Sequence, residues 1–344
     1  MRTILRRAGF NKRSGFPVSE VIFTLSLWLW LKKDSIGMFA RDSLQGMGKD
    51  VLYDTMNRED LNWRKCHELI AYKAVKSFRK DIKKAFVSDD SVKQRFRKKM
   101  PGISSHVDHT TGRHMMGQQV LTVGLSCEEG FVPLDNELFT SKTKIQELAK
   151  PFKEGRSAVA KRHRIAVNQT KPEMVASMIR RALRAGIQGH YLLAEAWFGS
   201  KAIIRLCQET ALIAILRMKK SKLKYRISEY TNGEIIEREM DVKALYKHSV
   251  RKQWKKIPGQ RYQAKVVDVA LNLALTDKEE TQWINSPIIC SWCRSGNKSS
   301  SRKARLGCLF VYRYRINRNR NFGTLCRDGR LKCILKKPSN TWAY

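Results

Sequence analysis

The sequence predicts a mixed α/β chain with a strand-rich appendage, on three observations. An apolar run too short for a helix, Tyr191 to Ala194, ends on Glu195, and after Trp197-Phe198-Gly199-Ser200 periodic residues follow from Lys201 to Gln208. A second apolar run, Ala85-Phe86-Val87-Ser88, ends in the same manner on Asp89-Asp90-Ser91. Elsewhere the hydrophobic period switches between about 3.6 and 2, the mark of helices alternating with strands. Both acid-tipped runs read as buried strands, and ligands and catalytic groups gather at the C-terminal strand ends of α/β sheets. One acid at a strand end is commonly only a turn carboxylate. Two such ends side by side would place carboxylates where a divalent metal can bridge them.

Residues 1–80 read as helical. Leu27 to Leu31 and Leu52 to Met56 are apolar stripes, and Asp60 to Phe78 carries Leu61, Cys66, Leu69, Ile70 and Val75 near helical spacing, with Lys and Arg opposite. A small basic helical module of this kind suits duplex contact, or caps the main domain with its charges in solvent. From residue 85 strands take over: Phe86–Asp90, then Gln119–Leu125 and Phe131–Leu138 around the hairpin signature Ser126-Cys127-Glu128-Glu129-Gly130. Lys142 to Thr170 is polar and basic without a clear period, so a surface loop is expected. Pro172 suits a helix start, Met174, Met178, Ile179, Ala182 and Leu183 make its inward face, and Gly186 ends it. The Tyr191–Glu195 strand, the helix from Lys201 and the strand Ala211–Leu216 complete an order (strand, strand, strand, helix, strand, helix, strand) that is the order of the ribonuclease-H-like fold. Tyr225–Tyr230 and Glu234–Met240 flank Thr231-Asn232-Gly233, a strong hairpin signal, and Tyr262–Leu275 continues an all-β insertion. The expected division is 1–80 helical module, 81–220 ribonuclease-H-like core, 221–284 β-rich insertion and 285–344 irregular basic tail.

A formal net charge of +37, from 68 Lys and Arg against 31 Asp and Glu, points to a polyanionic partner, nucleic acid first. No membrane partner is expected. The most apolar run, Val18 to Leu31, is broken by Ser19-Glu20 and falls short of the roughly 20 residues needed to span a bilayer. Lys32-Lys33-Asp34 follows it instead of a small-residue cleavage site, so a cytoplasmic protein is expected. The eight cysteines are scattered. Cys290 and Cys293 form a lone C-x-x-C without a second pair at zinc spacing, which reads as unpaired thiols in a reducing compartment.

The runs Ser88-Asp89-Asp90-Ser91, Asp108-His109-Thr110-Thr111-Gly112, Leu121-Thr122-Val123-Gly124-Leu125, Tyr191-Leu192-Leu193-Ala194-Glu195-Ala196-Trp197-Phe198 and Asp268-Val269-Ala270-Leu271-Asn272-Leu273-Ala274-Leu275 resemble a DDE transposase of the insertion sequence four family. The likeness runs from about residue 1 to about residue 284. It implies a ribonuclease-H-like core with a β-rich insertion, and three acids holding two Mg²⁺ or Mn²⁺ that activate water, then a freed 3′-OH, for in-line attack on phosphodiesters. Carried onto this chain, Asp90 is the first acid, with Asp89 the alternative, and Glu195 the second; all three are metal-ligand candidates. The implied partner is double-stranded DNA, both transposon ends and target, bound by a homodimer in the bacterial cytoplasm and nucleoid.

The chain departs from the family in two places. Glu195 stands where the family has Asp, and its extra methylene moves a ligand by more than about 1 Å in a site whose ions lie about 3.5–4 Å apart. The third acid of the signature Tyr-x2-Arg-x3-Glu-x6-Lys has no source, because residues 285–344 hold no Glu and one acid, Asp328. Two functional classes follow: an active transposase, or a catalytically inactive DNA-binding remnant. An unrelated RNA-binding protein fits less well, for the Gly-aromatic sheet motif and repeat codes of such modules are missing.

The tail, 285–344, carries 14 Lys and Arg and five of the eight cysteines, with little apolar periodicity. It reads as the family's C-terminal region out of frame. With permitted codons, a one-base shift lets Leu309 to Cys326 become an acidic amphipathic stretch, and a two-base shift lets Arg327 to Ala343 spell Arg, Glu and Lys at intervals of three and six. A genuine basic DNA-binding tail is the competing reading. Sequencing the gene decides between them: one shifted frame downstream of about codon 285 is expected to encode Tyr-x2-Arg or Arg-x3-Glu-x6-Lys, and if neither does, the out-of-frame reading is wrong.

Overall fold

The computed structural model describes residues 1–11, 14–31, 35–44, 46–96, 103–107, 112–140, 152–218, 223–248, 255–256, 262–274, 279–293 and 305–312. Five helices open the chain: α1 (Arg2–Arg7), α2 (Val18–Trp30), α3 (Ile36–Ser43), α4 (Lys49–Met56) and α5 (Trp63–Lys76). Side-chain caps fix two of their starts. Ser35 Oγ accepts from the Met38 N–H at 3.1 Å, and Asn62 Oδ1 from the Lys65 N–H at 3.0 Å. Two small apolar clusters hold these helices together, one around Leu5, Phe10, Ile22 and Leu61, the other around Val21, Phe39 and Leu52. No helix among the described residues is long and apolar enough to cross a membrane.

Strands follow: β1 (Ala85–Gln94), β2 (Ile103–Val107), β3 (His114–Cys127) and β4 (Gly130–Phe139). Then come α6 (Ala158–Val167), α7 (Lys171–Arg184), β5 (Tyr191–Ala194), α8 (Lys201–Glu209) and β6 (Ile213–Arg217). The core order is β4-β3-β1-β5-β6, with β3 antiparallel to β1 and to β4, and β5 parallel to both β1 and β6. This is the ribonuclease-H-like sheet. α7 lies across it with Met174, Val175, Met178, Ile179 and Ala182 buried at helical spacing, packed with Phe86, Leu121, Val123 and Leu192. α7 starts at Thr170, whose N–H and hydroxyl both donate to the Glu173 carboxylate, at 2.7 and 2.8 Å.

The insertion contains β7 (Tyr225–Thr231), β8 (Glu234–Met240), α9 (Val242–His248), β9 (Lys255–Lys256) and β10 (Tyr262–Asn272). Asn232 and Gly233 turn the β7–β8 hairpin, both at positive φ (54° and 89°), as a two-residue hairpin turn demands. β11 (Trp283–Cys293) and β12 (Arg305–Tyr312) then link insertion to core: β12 lies antiparallel between β6 and β11, and β10 completes the run to β7 and β8.

Three expectations give way here. The loop expected over 142–170 contains α6, because Ser157 caps it and alanines at 158, 160 and 166 favour helix while adding little apolar signal. β2 lies where no strand was read. Within the segment expected to be irregular, residues 285–293 and 305–312 are strands, since the open edge of β6 supplies backbone partners to Leu309-Phe310-Val311-Tyr312. Residues 313–344, which carry most of the frame argument, lie outside the described residues.

A charge cluster clamps three helices onto β4. Asp135 and Glu137 are both buried, at 7% and 5% exposure. Arg181 of α7 donates to Asp135 at 2.8 Å, Arg162 of α6 to Glu137 at 3.3 Å, and Arg64 of α5 pairs with Glu137 while its Nε lies 3.5 Å from Asp135. Removing one buried acid strands several arginines, so Glu137→Ala is expected to destabilise the fold by about 3–5 kcal/mol in urea denaturation. Arg180→Ala, which breaks the exposed pair to Glu209 (2.7 Å), is expected to cost less than about 1 kcal/mol.

Candidate metal site at the strand ends

β1 and β5 run parallel with Phe86 beside Leu192 and Ser88 beside Ala194. Asp89 and Glu195 each follow the last residue paired in this ladder, so the two acids stand side by side where it ends; β1 itself does not stop at the acids, as the sequence suggested, but runs on to Gln94 because β3 continues to pair with it. A strand alternates its side chains, which sends Asp89 and Asp90 to opposite faces. Phe86, Ser88 and Asp90 face α7; Val87 and Asp89 face away.

The Asp90 carboxylate is engaged on the helix side. Its Oδ2 accepts from Gln119 Nε2 at 2.7 Å and from Lys171 Nζ at 2.9 Å. Lys171 is the first residue of α7, and its side chain is only 10% exposed. Its ammonium also sits 4.7 Å from the Trp197 ring centroid and 5.0 Å from that of Phe139, so one anion and two ring faces replace the water it loses. His106, hydrogen-bonded through Nε2 to Ser104 Oγ (2.9 Å), feels both charges; burial holds its pKa below the usual value.

Asp89 has the other environment. Crowding by the protein raises its pKa to about 6, and the negative charges of Glu195 and Asp90 push the same way, against the Asp90 N–H that donates to Asp89 Oδ1 at 2.8 Å. Its carboxylate still reaches solvent on one side. Glu195 is exposed and begins a turn closed by the Phe198 N–H donating to the Glu195 carbonyl at 2.9 Å. Gly199 is required in that turn, because a Cβ there would lie 2.4 Å from the Arg217 carbonyl oxygen. Phe198 anchors the turn in the core while Trp197 stays half exposed, at 53%.

Of the sequence candidates, then, Asp89 and Glu195 are brought together, and Asp90 is held beside them by Lys171 and Gln119. Residues 108–111 lie outside the described residues. Lys171, Gln119 and His106 were not singled out in the sequence; Lys171 and Asp90 are 81 positions apart, and only the start of α7 hinted that a residue there would be held in place. Among the described residues no group of three or more His, Cys, Asp or Glu is placed to hold a metal ion. The pair itself suits a hard divalent cation: two carboxylate donors repel one another, and a cation between them would relieve that repulsion.

The ribonuclease-H-like sheet thus carries Asp89 and Glu195 side by side where the β1–β5 ladder ends. The family described as DDE superfamily endonuclease matches residues 31–233, a span that includes Asp89, Asp90 and Glu195, and the chain belongs to that family. No curated protein matches the sequence. Among solved structures, a Drosophila P element transposase strand transfer complex is similar at 9% identity and a TM-score of 0.30, over 67% of this chain and 49% of that one. The chain spans about half the length of that transposase.

The raised Asp89 pKa has a defined sign. Unfolded, the carboxyl titrates near 3.9; folded, near 6. Between these values the folded state holds a proton that the unfolded state has released, so stability is expected to fall as pH rises from about 4 to 6 and to level off above. Asp89→Asn is expected to remove that slope. In an NMR titration, Glu195→Gln is expected to lower the Asp89 pKa, because it removes one of the negative charges that raise it.

Proposed function

We propose that the chain is a transposase of the insertion sequence four type that binds transposon-end DNA and cleaves and joins strands with Mg²⁺ or Mn²⁺. The observation that carries this reading is the charge-coupled pair Asp89 and Glu195 side by side where the parallel β1–β5 ladder ends, in a chain of the DDE endonuclease family and of large positive charge. Asp89 and Glu195 would hold the ion, which supplies Lewis-acid activation of the attacking oxygen and of the phosphodiester when bound. Asp90 is the alternative first acid; in this reading it instead fixes the strand end through Lys171. Double-stranded DNA is the partner, with a homodimer in the DNA complex.

A second reading rests on the missing third acid: a remnant that binds ends without cutting them. A two-metal site needs a further carboxylate, and residues 285–344 offer only Asp328. Nicking of duplex DNA carrying the element's own ends, with Mg²⁺ or Mn²⁺, separates the two. Cleavage that disappears in Asp89→Ala and Glu195→Ala is expected of an active enzyme; end binding without cleavage at any metal concentration identifies the remnant. Direct Mn²⁺ titration tests the site itself. Asp89→Ala and Glu195→Ala are expected to abolish binding without unfolding the chain, Glu195→Asp to tighten it, and Asp90→Asn to weaken it less than Asp89→Asn. If Asp90→Asn is the more damaging of the two, Asp90 is the ligand.

A further inference from the structure

At the far end of α7 from the acids, α1, α5 and α7 enclose a cleft of about 690 Å³. Six basic residues line it: Arg7, Lys65, Lys73, Lys76, Arg181 and Arg184. Two of them are neutralised, Lys65 by Glu68 at 2.5 Å and Arg181 by Asp135 at 2.8 Å. Arg7, Lys73, Lys76 and Arg184 are exposed and have no acid within ion-pair distance among the described residues. Lys76 rests instead over the Tyr72 ring, 4.9 Å from its centroid.

Basic residues near helix C-termini have an ordinary structural explanation, since they offset the helix dipole. Here three helix ends meet, at Arg7, Lys76 and Arg184. At roughly half a negative charge each, they offset about 1.5 of the four free cations. More than two positive charges therefore remain without an internal partner. A small anion would be gripped by buried, convergent donors, whereas these four cations are exposed and spread over three helices. Such spacing suits a polyanion contacted at several points.

Resting on the reading of the chain as a DNA-binding transposase, we infer that this cleft is a second DNA contact, binding the phosphate backbone of duplex DNA away from the acids. α7 has 14 residues, and its length of about 20 Å separates Lys171 at the acid end from Arg184 at the cleft. That is about six base pairs of duplex at 3.4 Å each. The cleft thus engages a phosphate other than the one at the acids and sets the distance between the anchored duplex and the cut.

The test is the salt dependence of duplex binding by the full chain. The variant Arg7→Ala/Lys73→Ala/Lys76→Ala/Arg184→Ala is compared with a charge-matched control, Lys153→Ala/Arg238→Ala/Lys243→Ala/Lys247→Ala, on exposed sites elsewhere. Each lost phosphate contact flattens the plot of log K against log salt by about 0.9, so the cleft variant is expected to lose about 3–4 units of slope and the control less than 1. Mn²⁺ binding is expected to be the same in both. Equal losses in the two variants, or an unchanged slope in the cleft variant, overturn the cleft while leaving DNA binding intact. Failure of the wild-type chain to bind duplex DNA overturns the parent reading and the cleft with it. Tighter binding of duplex RNA through the same four cations overturns the DNA assignment.

Discussion

The candidate site depends on the parallel ladder between β1 and β5. A strand pair fixes both distance and facing, and a slip of one residue would exchange the faces of every side chain on β1. Such a slip would trade Asp89 for Ser88 or Asp90 beside Glu195. The contact of Asp90 with Lys171 and Gln119 opposes it: with Asp90 tied to the helix side, alternation sends Asp89 to the other face. Lys171 in turn is placed by the Thr170–Glu173 cap that starts α7. One buried ion pair on the closed face thereby sets which carboxylate meets Glu195 on the open one.

The same economy of buried charge governs how the helices meet the sheet. Asp135 and Glu137 are spaced by two on β4, hence share a face, and three arginines from three helices converge on them. Arg181 belongs both to this cluster and to the wall of the basic cleft. The helix that carries Lys171 at one end and Arg184 at the other is therefore fixed at its start by Asp90 and near its end by Asp135. α5 is joined to the core both by charge, through Arg64, and by apolar contact, through Ala71, Tyr72 and Val75. Burying a charged pair carries a desolvation cost, so the value of this cluster lies as much in fixing orientation as in net stability.

Much of this arrangement was legible in the sequence because it rests on period and punctuation. The short strand before Glu195, the inward face of α7 from Met174 to Leu183, and the Asn232-Gly233 turn are all local signals, whereas β1, read as ending at Asp90, runs on to Gln94 against β3. What was not legible depends on distant partners or weak contrast. α6 is hidden because alanines at 158, 160 and 166 scarcely differ from loop residues in hydropathy, while Ser157, its cap, resembles any loop serine. The family resemblance put Asp90 ahead of Asp89 as first acid, but the residues alone give no order, since alternation says that they diverge but not which face α7 covers. β12 was missed because its strand character is realised only against β6, about 90 residues earlier in the chain.

That last pairing sets a timing problem for synthesis. β6 can pair with β5 as soon as both are made, yet its other edge is completed by Leu309 to Tyr312. At 5–20 residues per second the ribosome needs roughly 5–18 s to supply the intervening stretch of about 90 residues. Throughout that interval the nascent core presents a bare strand edge, with Ala214, Ile215 and Leu216 in its middle, to any neighbouring chain. A release factor, protease or chaperone reaching the chain before Tyr312 emerges would meet a half-closed sheet. Yield of the protein would then depend on translation speed and expression temperature more than on the stability of the finished fold.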